Sequence, residues 1–337
     1  MINKIQLEQT GPIEKLEWDS LSSINLIIGK NGTGKTLLLK MIYASIRSIE
    51  GYGRGDEPRS LSQILFDKIY WTFQVNKIGD LVRKGSEEPL SFNIEIDGKR
   101  FNFSFGKDTE KQINDVNGNI QRSDNSIFFP AKEVLSLFHV ILKSREVDKM
   151  FGFDDTYYDL VKALQSRPSK GRNYDAFAQS RQKLEDILSG RVEFDEKFNQ
   201  WFFKKGNRKF SINLTAEGIK KIAMLDTLLG NRYIGTGSVI FIDEPESALH
   251  PEAIGDFMDI IYLLSQSGIQ FFIATHSYFV IKKLYLISQK EKTSLPVLSL
   301  GETDEYFNSN LLQGLPKNPI VDESIALYEE EIELSWQ

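Results

Sequence analysis

Short, nearly continuous apolar runs mark the predicted strands of this chain. Runs of this kind, typical of strands buried on both faces of a parallel sheet, occur at residues 24–28, 239–242, 271–274 and 295–300. Apolar residues at helical spacing follow two of these runs, at 37–42 and at 278–287. Strands that alternate with helices in this way predict an α/β architecture.

A different pattern predicts an antiparallel β-hairpin near residue 97. Apolar and polar residues alternate on both sides of Asp97-Gly98, a dipeptide that favours a tight turn. The alternation places six apolar side chains on one face: Phe92, Ile94, Ile96, Phe101, Phe103 and Phe105. We therefore expect a β-hairpin here, followed by a polar loop at 106–126.

The stretch 132–190 is predicted to be a helical insertion. Two sets of apolar residues have helical spacing and are separated by a basic loop at 167–172. The first set is Val134, Leu135, Phe138, Ile141 and Leu142, and the second is Tyr174, Phe177, Leu184 and Leu188, with Arg181 in register. This pattern divides the chain into an N-terminal core part (1–131), the helical insertion (132–190) and a C-terminal core part (191–337).

The loop between the first apolar run and its helix carries the strongest chemical signal. Residues 29–36 read Gly-Lys-Asn-Gly-Thr-Gly-Lys-Thr, which is a complete G-x-x-x-x-G-K-[ST] motif in a strand–loop–helix context. Glycines let the backbone N–H groups of Asn31, Gly32, Thr33 and Gly34 converge on phosphate oxygens at a helix N-terminus. Lys35 would then reach the β- and γ-phosphates, and the Thr36 hydroxyl would bind Mg²⁺.

Two carboxylates end the apolar run at 239–242. Because ligands of open α/β sheets bind at the carboxyl ends of the strands, Asp243 and Glu244 are expected beside the glycine loop. Asp243 is predicted to complete the Mg²⁺ shell, and Glu244 to polarise the water that attacks the γ-phosphate.

One histidine ends a third predicted strand. His276 follows Ala274-Thr275, so it is placed to hydrogen-bond the γ-phosphate or to orient the attacking water. His139 lies in an apolar helical pattern and His250 precedes a proline at a turn, so we expect structural roles for both.

Composition excludes several classes of protein. The chain has 337 residues, 41% hydrophobic and 26% charged, with a net charge of −6, which is typical of a globular protein and not of a generally basic nucleic-acid binder. It has no cysteine, which excludes disulfides, thiolate zinc sites and cysteine nucleophiles. Neither a signal core nor an apolar run long enough for a membrane span is present, so we expect a cytoplasmic location and no membrane partner.

Together, the motifs resemble those of the ABC-type ATPases. The wording Asp243-Glu244-Pro245-Glu246, then Leu249-His250-Pro251, and Ala274-Thr275-His276-Ser277 is similar to the non-transporter branch, the RecF-like and overcoming-lysogenization-defect-like ATPases of DNA repair and anti-phage defence. The resemblance implies a P-loop NTPase fold of ABC-ATPase type with an antiparallel β subdomain and a helical insertion. It implies ATP and Mg²⁺ as cofactors, Lys35, Glu244 and His276 as catalytic residues, and residues 247–249 as the D-loop.

The same resemblance implies that two copies enclose ATP head to tail, as a homodimer or a higher homo-oligomer. A signature segment would then contact the ATP bound to the other copy, and residues 214–221 are the candidate. Gly218 fits this segment. Ala216 stands where the family places a serine, so the hydroxyl must come from Thr215, which is also a candidate helix cap, or be absent.

Two functional classes stay open. In the first, a hydrolysing ATPase opens and closes a dimer to drive or license a separate effector protein. In the second, ATP locks a binding scaffold and turnover is incidental. Glu244 favours the first class, and Ala216 favours the second. The stretch after His276 matches no nuclease domain, so we expect the effector to be another protein.

Nucleic-acid binding is left open by the sequence. The basic loop at 167–172 and the segment Lys204–Lys209 could contact phosphates. Solvated turns are the simpler interpretation of both, and for Lys204–Lys209 we expect a hairpin turn.

Overall fold

The computed structural model describes residues 1–54, 59–118, 120–166, 175–302 and 305–335. The strands are β1 (Ile2–Thr10), β2 (Ile13–Trp18), β3 (Ile24–Gly29), β4 (Leu90–Ile96), β5 (Lys99–Phe105), β6 (Asp115–Asn117), β7 (Ile127–Phe129), β8 (Arg191–Asp195), β9 (Gln200–Lys205), β10 (Arg208–Ser211), β11 (Val239–Asp243), β12 (Gln270–Thr275), β13 (Pro296–Leu300) and β14 (Tyr306–Asn310). The helices are α1 (Lys35–Gly51), α2 (Leu61–Phe73), α3 (Phe138–Leu142), α4 (Asp155–Leu164), α5 (Asp175–Leu188), α6 (Glu217–Gly230), α7 (Pro251–Gln266), α8 (Tyr278–Glu291) and α9 (Pro319–Ser335). None of the described helices combines the length and the apolar character that a bilayer span requires.

A mainly parallel sheet forms the centre of the fold, with the strand order β14-β13-β3-β12-β11-β7. Only β14 runs antiparallel to its neighbour among these pairings. Residues of β3 face two cores in alternation: Leu26 and Ile28 pack with α4 to α8, whereas Ile27 packs with α1 and the second sheet. Burial on both faces explains why the predicted strands are almost continuously apolar.

The predicted hairpin is confirmed as part of an antiparallel sheet with the order β2-β1-β4-β5-β6. Asp97 and Gly98 form the turn with φ angles of 50° and 75°. The six alternating apolar side chains are all buried in one core. The prediction of a polar loop over 106–126 is wrong in part, because β6 pairs with β5 and Ile113 and Ile120 are buried. These isolated apolar residues were too few to show a period.

The helical insertion is shorter at its start than predicted. Residues 132–137 form turns, and α3 begins only at Phe138, although Val134 and Leu135 are buried. A single π-helical turn at Lys143–Val147 follows α3. The apolar faces of α4 and α5 join the core that contains α6 and α7. The division of the chain at residues 131 and 190 stays a prediction. Tyr174 and the basic loop at 167–172 lie outside the described residues.

The hairpin turn predicted within Lys204–Lys209 is confirmed. Strands β9 and β10 pair in antiparallel register, with Lys205 opposite Arg208. Gly206 takes a left-handed φ of 55° in the turn between them. Together with β8, these strands form a third, small sheet with the order β10-β9-β8.

A buried cluster of charged groups joins α1, α2 and α4. Asp159 of α4 accepts hydrogen bonds from the Tyr43 hydroxyl and from Lys68 Nζ, the latter at 2.9 Å. Burial alone would raise the pKa of Asp159, but the cations of Lys68 and Arg47 outweigh it and hold the pKa at about 2. Lys68 also pairs with Asp155, and Arg47 also pairs with Glu50, so Asp159 is the carboxylate that the two buried cations share.

We predict that Asp159→Ala lowers the free energy of unfolding by about 3 kcal/mol, because it leaves Lys68 and Arg47 buried without their shared counter-ion. Urea unfolding followed by circular dichroism measures the change. Asp67→Ala is the matched control, since Asp67 pairs with Arg59 at 3.2 Å on the surface and its loss should cost less than about 1 kcal/mol. Equal midpoints for the two variants would contradict this account.

Candidate nucleotide-binding site

The glycine loop at 29–36 joins the end of β3 to the start of α1, as predicted. Gly29, Gly32 and Gly34 have φ angles of 155°, 84° and 95°, which residues with a Cβ rarely adopt. A Cβ at Gly29 would lie 2.6 Å from the backbone oxygen of Leu300, so β13 approaches the loop too closely for any larger residue. The loop therefore presents backbone N–H groups at the N-terminus of α1, an arrangement that binds phosphates.

Lys35 bridges the mouth of this loop. Its Nζ donates hydrogen bonds to the backbone oxygens of Gly29 at 2.7 Å and Lys30 at 2.8 Å. Burial lowers the pKa of Lys35, although the nearby charge of Asp243 opposes the shift. Neutral carbonyl oxygens compensate a buried ammonium less well than an anion does, so this group favours an anionic ligand such as a phosphate.

Thr36 and Asp243, the two predicted Mg²⁺ ligands, are in contact. The Thr36 hydroxyl donates a hydrogen bond of 2.9 Å to Asp243 Oδ2, which joins the start of α1 to the end of β11. Burial raises the pKa of Asp243, and the bond from Thr36 opposes this shift. The described residues contain no cluster of three or more metal-binding side chains, so Mg²⁺ at this oxygen pair would need phosphate and water ligands, which suits that ion.

Glu244 and His276 also come together. Glu244 follows β11 with a left-handed φ of 50°, and its N–H donates to the backbone oxygen of Ala274 at 2.9 Å. His276 Nδ1 lies 3.3 Å from Glu244 Oε1. The carboxyl ends of adjacent strands β11 and β12 therefore place a carboxylate and an imidazole side by side, with 37% and 47% of their side chains exposed.

Glu246 is a site residue that the sequence motifs did not indicate. Its Oε1 accepts hydrogen bonds from the Thr275 hydroxyl at 2.7 Å and from the N–H of His276 at 3.2 Å. Its Oε2 is buried without a hydrogen-bond partner among the described residues. Glu246 thus ties the loop after β11 to the loop that carries His276. The sequence signal was its place in the same acidic segment as Glu244.

Lys221 is a second site residue that the sequence motifs did not indicate. It is 2% exposed, and its Nζ donates to the backbone oxygen of Glu244 at 2.5 Å. Burial lowers the pKa of Lys221 to about 8 despite the attraction of Glu246, Asp243 and Glu244. Its position was visible in the helical spacing, because Lys221 shares the buried face of α6 with Leu225 and Leu228.

The signature candidates, Thr215 and Gly218, lie around the start of α6. Thr215 is not the helix cap: Ala216 occupies that position without a side-chain bond, and the Thr215 hydroxyl donates to the backbone oxygen of Ser211 at 3.3 Å. Gly218 is in the first turn, where a Cβ would lie 2.6 Å from the backbone oxygen of Ala248. Gly218 therefore permits close packing within its own chain, and its contact with a second copy stays a prediction.

The other two histidines make structural contacts. His250 caps α7 by accepting a hydrogen bond at Nδ1 from the N–H of Glu252 at 3.3 Å. His139 Nε2 lies 2.5 Å from the backbone oxygen of Asn199.

The parallel sheet, the glycine loop and the acidic strand end define a P-loop ATPase fold of AAA/ABC type. The family model described as "AAA domain, putative AbiEii toxin, Type IV TA system" matches residues 24–282, and the chain belongs to this family. No curated protein matches the chain.

Two solved structures share the fold. An Smc head bound to the C-winged helix domain of ScpA has 13% identity and a TM-score of 0.56, covering 92% of this chain and 97% of its own. An Smc head with an extended coiled coil, bound to the C-terminal domain of ScpA and derived from Pyrococcus furiosus, has 10% identity and a TM-score of 0.51, covering 98% of each chain. The ABC-type resemblance is therefore confirmed for the fold, while the RecF-like or overcoming-lysogenization-defect-like branch stays a prediction.

We predict that Glu246→Ala lowers the free energy of unfolding by about 1–2 kcal/mol, because the buried Thr275 hydroxyl and the His276 N–H lose their shared acceptor. Glu246→Gln keeps an oxygen in the same place and should cost less. Thermal unfolding of both variants measures the difference. An alanine variant as stable as the glutamine variant would show that these bonds do not hold the loops.

Proposed function

We propose that this chain binds ATP with Mg²⁺ and hydrolyses it to ADP and phosphate. The observation that carries the proposal is the hydrogen bond between Thr36 and Asp243, because it brings the two expected Mg²⁺ ligands together beside the phosphate loop. Lys35 supplies the cation for the β- and γ-phosphates, and Asn31, Gly32, Thr33 and Gly34 supply the surrounding backbone.

Glu244 and His276 are the proposed catalytic pair. Glu244 acts as the general base on the attacking water, and His276, 3.3 Å away, orients that water or donates to the γ-phosphate. The Mg²⁺ ion, when bound, neutralises charge on the β- and γ-phosphates. Lys221 bonds to the backbone oxygen of Glu244, and Glu246 bonds to the N–H of His276 and lies 3.7 Å from its Nδ1, so we assign both as positioning residues.

A cavity of about 150 Å³ next to the glycine loop suits the adenine base. Its lining includes Asn31, Gly32 and Thr33 of the glycine loop, the apolar or aromatic residues Ile13, Leu16 and Tyr306, and the charged residues Lys15, Glu302 and Glu305. Apolar walls beside a phosphate loop are typical of a nucleotide pocket. The walls come from the antiparallel sheet and from β14, so they would tie nucleotide binding to the contact between the two sheets.

We further propose that ATP joins two copies head to tail, with Thr215 and Gly218 of one copy facing the ATP of the other. The closed dimer would drive or license a separate effector protein in anti-phage defence or DNA repair. The partner-bound Smc heads support the general idea of an ATPase head that carries another protein. A nucleotide-gated scaffold with little turnover is the second candidate, and Ala216 in the signature segment favours it.

Lys35→Ala should abolish ATP binding or weaken it roughly 100-fold or more, because the cation facing the β- and γ-phosphates is removed. Isothermal titration with Mg²⁺-ATP measures the affinity. Lys30→Ala is the control within the same loop, since Lys30 is exposed and pairs with Glu302 at 3.1 Å. Unchanged affinity in Lys35→Ala would rule out this assignment.

Glu244→Gln should bind ATP as the wild type does, while turnover falls about 100-fold or more, the usual contribution of a general base. Phosphate release and titration calorimetry separate the two effects. Light scattering at saturating ATP should show that this variant accumulates as a dimer. A variant that stays monomeric would count against the ATP-linked dimer, and one that hydrolyses ATP normally would favour another base.

A further inference from the structure

A charged surface outside the nucleotide site lies on the small antiparallel sheet with the order β10-β9-β8. The strand register places Arg191 opposite Lys204, and Lys204 opposite Lys209. Residues directly opposite each other share a face, so three cations form one row across the sheet. With neighbouring strands about 4.8 Å apart, the row spans roughly 10 Å. We call this row and the aromatic residues beside it the basic sheet face.

Ion pairs with Glu193 and Asp195 on the same face account for two of these cations, but folding of the hairpin alone does not account for Lys204. Like charges directly opposite each other destabilise an antiparallel pair, and a second such pair, Lys205 and Arg208, adjoins the turn. Arg191 is paired with Glu193 at 2.6 Å and Lys209 is paired with Asp195. Lys204, in the centre, has no carboxylate within salt-bridge distance in the described part of the chain. Residues 197–216 contain five cations and no acidic residue, in a chain whose net charge is −6.

Aromatic rings lie beside the cations. Phe202 is two residues before Lys204 on β9, so it shares the face, and Lys209 Nζ lies 4.1 Å from its ring centre. Phe198 packs edge-on against Phe202 with ring centres 6.4 Å apart, and 60% of Phe198 is exposed. A large exposed ring next to a row of cations offers a stacking surface together with an anion site.

We propose that the basic sheet face binds single-stranded nucleic acid, with phosphates on the cation row and a base stacked on Phe198. This ligand supplies both features that the surface requires, because its repeated phosphates match the row and its unpaired bases expose flat faces. A duplex keeps its bases stacked internally and could use only the cations. This binding goes beyond the proposed ATPase activity and does not depend on it.

The position of the face gives such binding a consequence. β10 leads through residues 212–216 directly into α6, and Lys221 of α6 bonds to the backbone oxygen of Glu244. A nucleic-acid strand bound to this sheet would therefore contact β10, the strand that continues into α6. Helix α6 carries Lys221, which positions the proposed general base.

The test is fluorescence anisotropy of the full chain with labelled oligothymidylate and oligouridylate, which separate DNA from RNA as the ligand. Lys204→Glu should weaken binding about tenfold or more, and the log–log slope against salt should fall by about 0.7 for each phosphate that the variant no longer binds. Its melting temperature should not fall, because the introduced carboxylate would face Arg191 and Lys209 as an opposite charge. Lys99→Glu, the same charge change on the exposed end of another hairpin, is the control and should bind as the wild type does.

A second variant separates stacking from charge. Phe198→Ala should weaken binding to single strands about tenfold without changing the salt slope, and should leave duplex binding unaltered. Phe307→Ala, which removes a phenylalanine of nearly equal exposure on β14, is its control. Absence of saturable binding to either oligonucleotide, or equal binding by Lys204→Glu and Lys99→Glu, would overturn the proposal. Loss of self-association in Lys204→Glu without oligonucleotide binding would likewise overturn it, by showing that the face contacts protein.

Discussion

The hydrogen bond between Thr36 and Asp243 is the interaction on which the candidate site depends. It can form only because β3, β12 and β11 are adjacent and parallel, so that their carboxyl ends open onto one edge of the sheet. The same strand order brings Lys35, Glu244 and His276 to that edge. The buried aromatic residues beneath, Phe241 on β11 and Phe272 on β12, stack with ring centres 5.5 Å apart and keep the two strands in register.

A strained loop follows β11 and is held on two sides. Glu244 and Ala248 have left-handed φ angles of 50° and 63°, conformations that cost about 1–3 kcal/mol in residues other than glycine. Lys221 bonds to the backbone oxygen of Glu244, and Gly218 lets α6 pack against Ala248. On the other side, Glu246 bonds to the loop of His276. The proposed base is thus oriented by contacts that lie outside the glycine loop.

The helical region is linked to the same centre by buried charge. Lys40 of α1 contacts Asp154, which caps α4, at 2.5 Å, and Tyr43 of α1 bonds to Asp159 within α4. Asp159 is buried and the Lys40–Asp154 pair is partly buried, so removing either carboxylate should have a larger effect than breaking an exposed ion pair. The helix that begins at the glycine loop and helix α4 of the insertion are therefore fixed to each other.

The sequence by itself determined the features that local chemistry encodes. The glycine loop, the apolar strands, the Asp97-Gly98 hairpin, and the placing of Asp243, Glu244 and His276 at strand ends all follow from short-range pattern and motif spacing. The tertiary structure alone decided the roles of Lys221 and Glu246, the late start of α3 and the pairing of β6. It also decided that Ala216, and not Thr215, occupies the N-cap of α6. The two site residues show the reason most clearly: Lys221 is 23 residues from the carbonyl it binds, and Glu246 is 29 residues from Thr275. Helical spacing can place Lys221 on the buried face of α6, but the distant group that each side chain bonds to is set by tertiary packing, which no local period or propensity records.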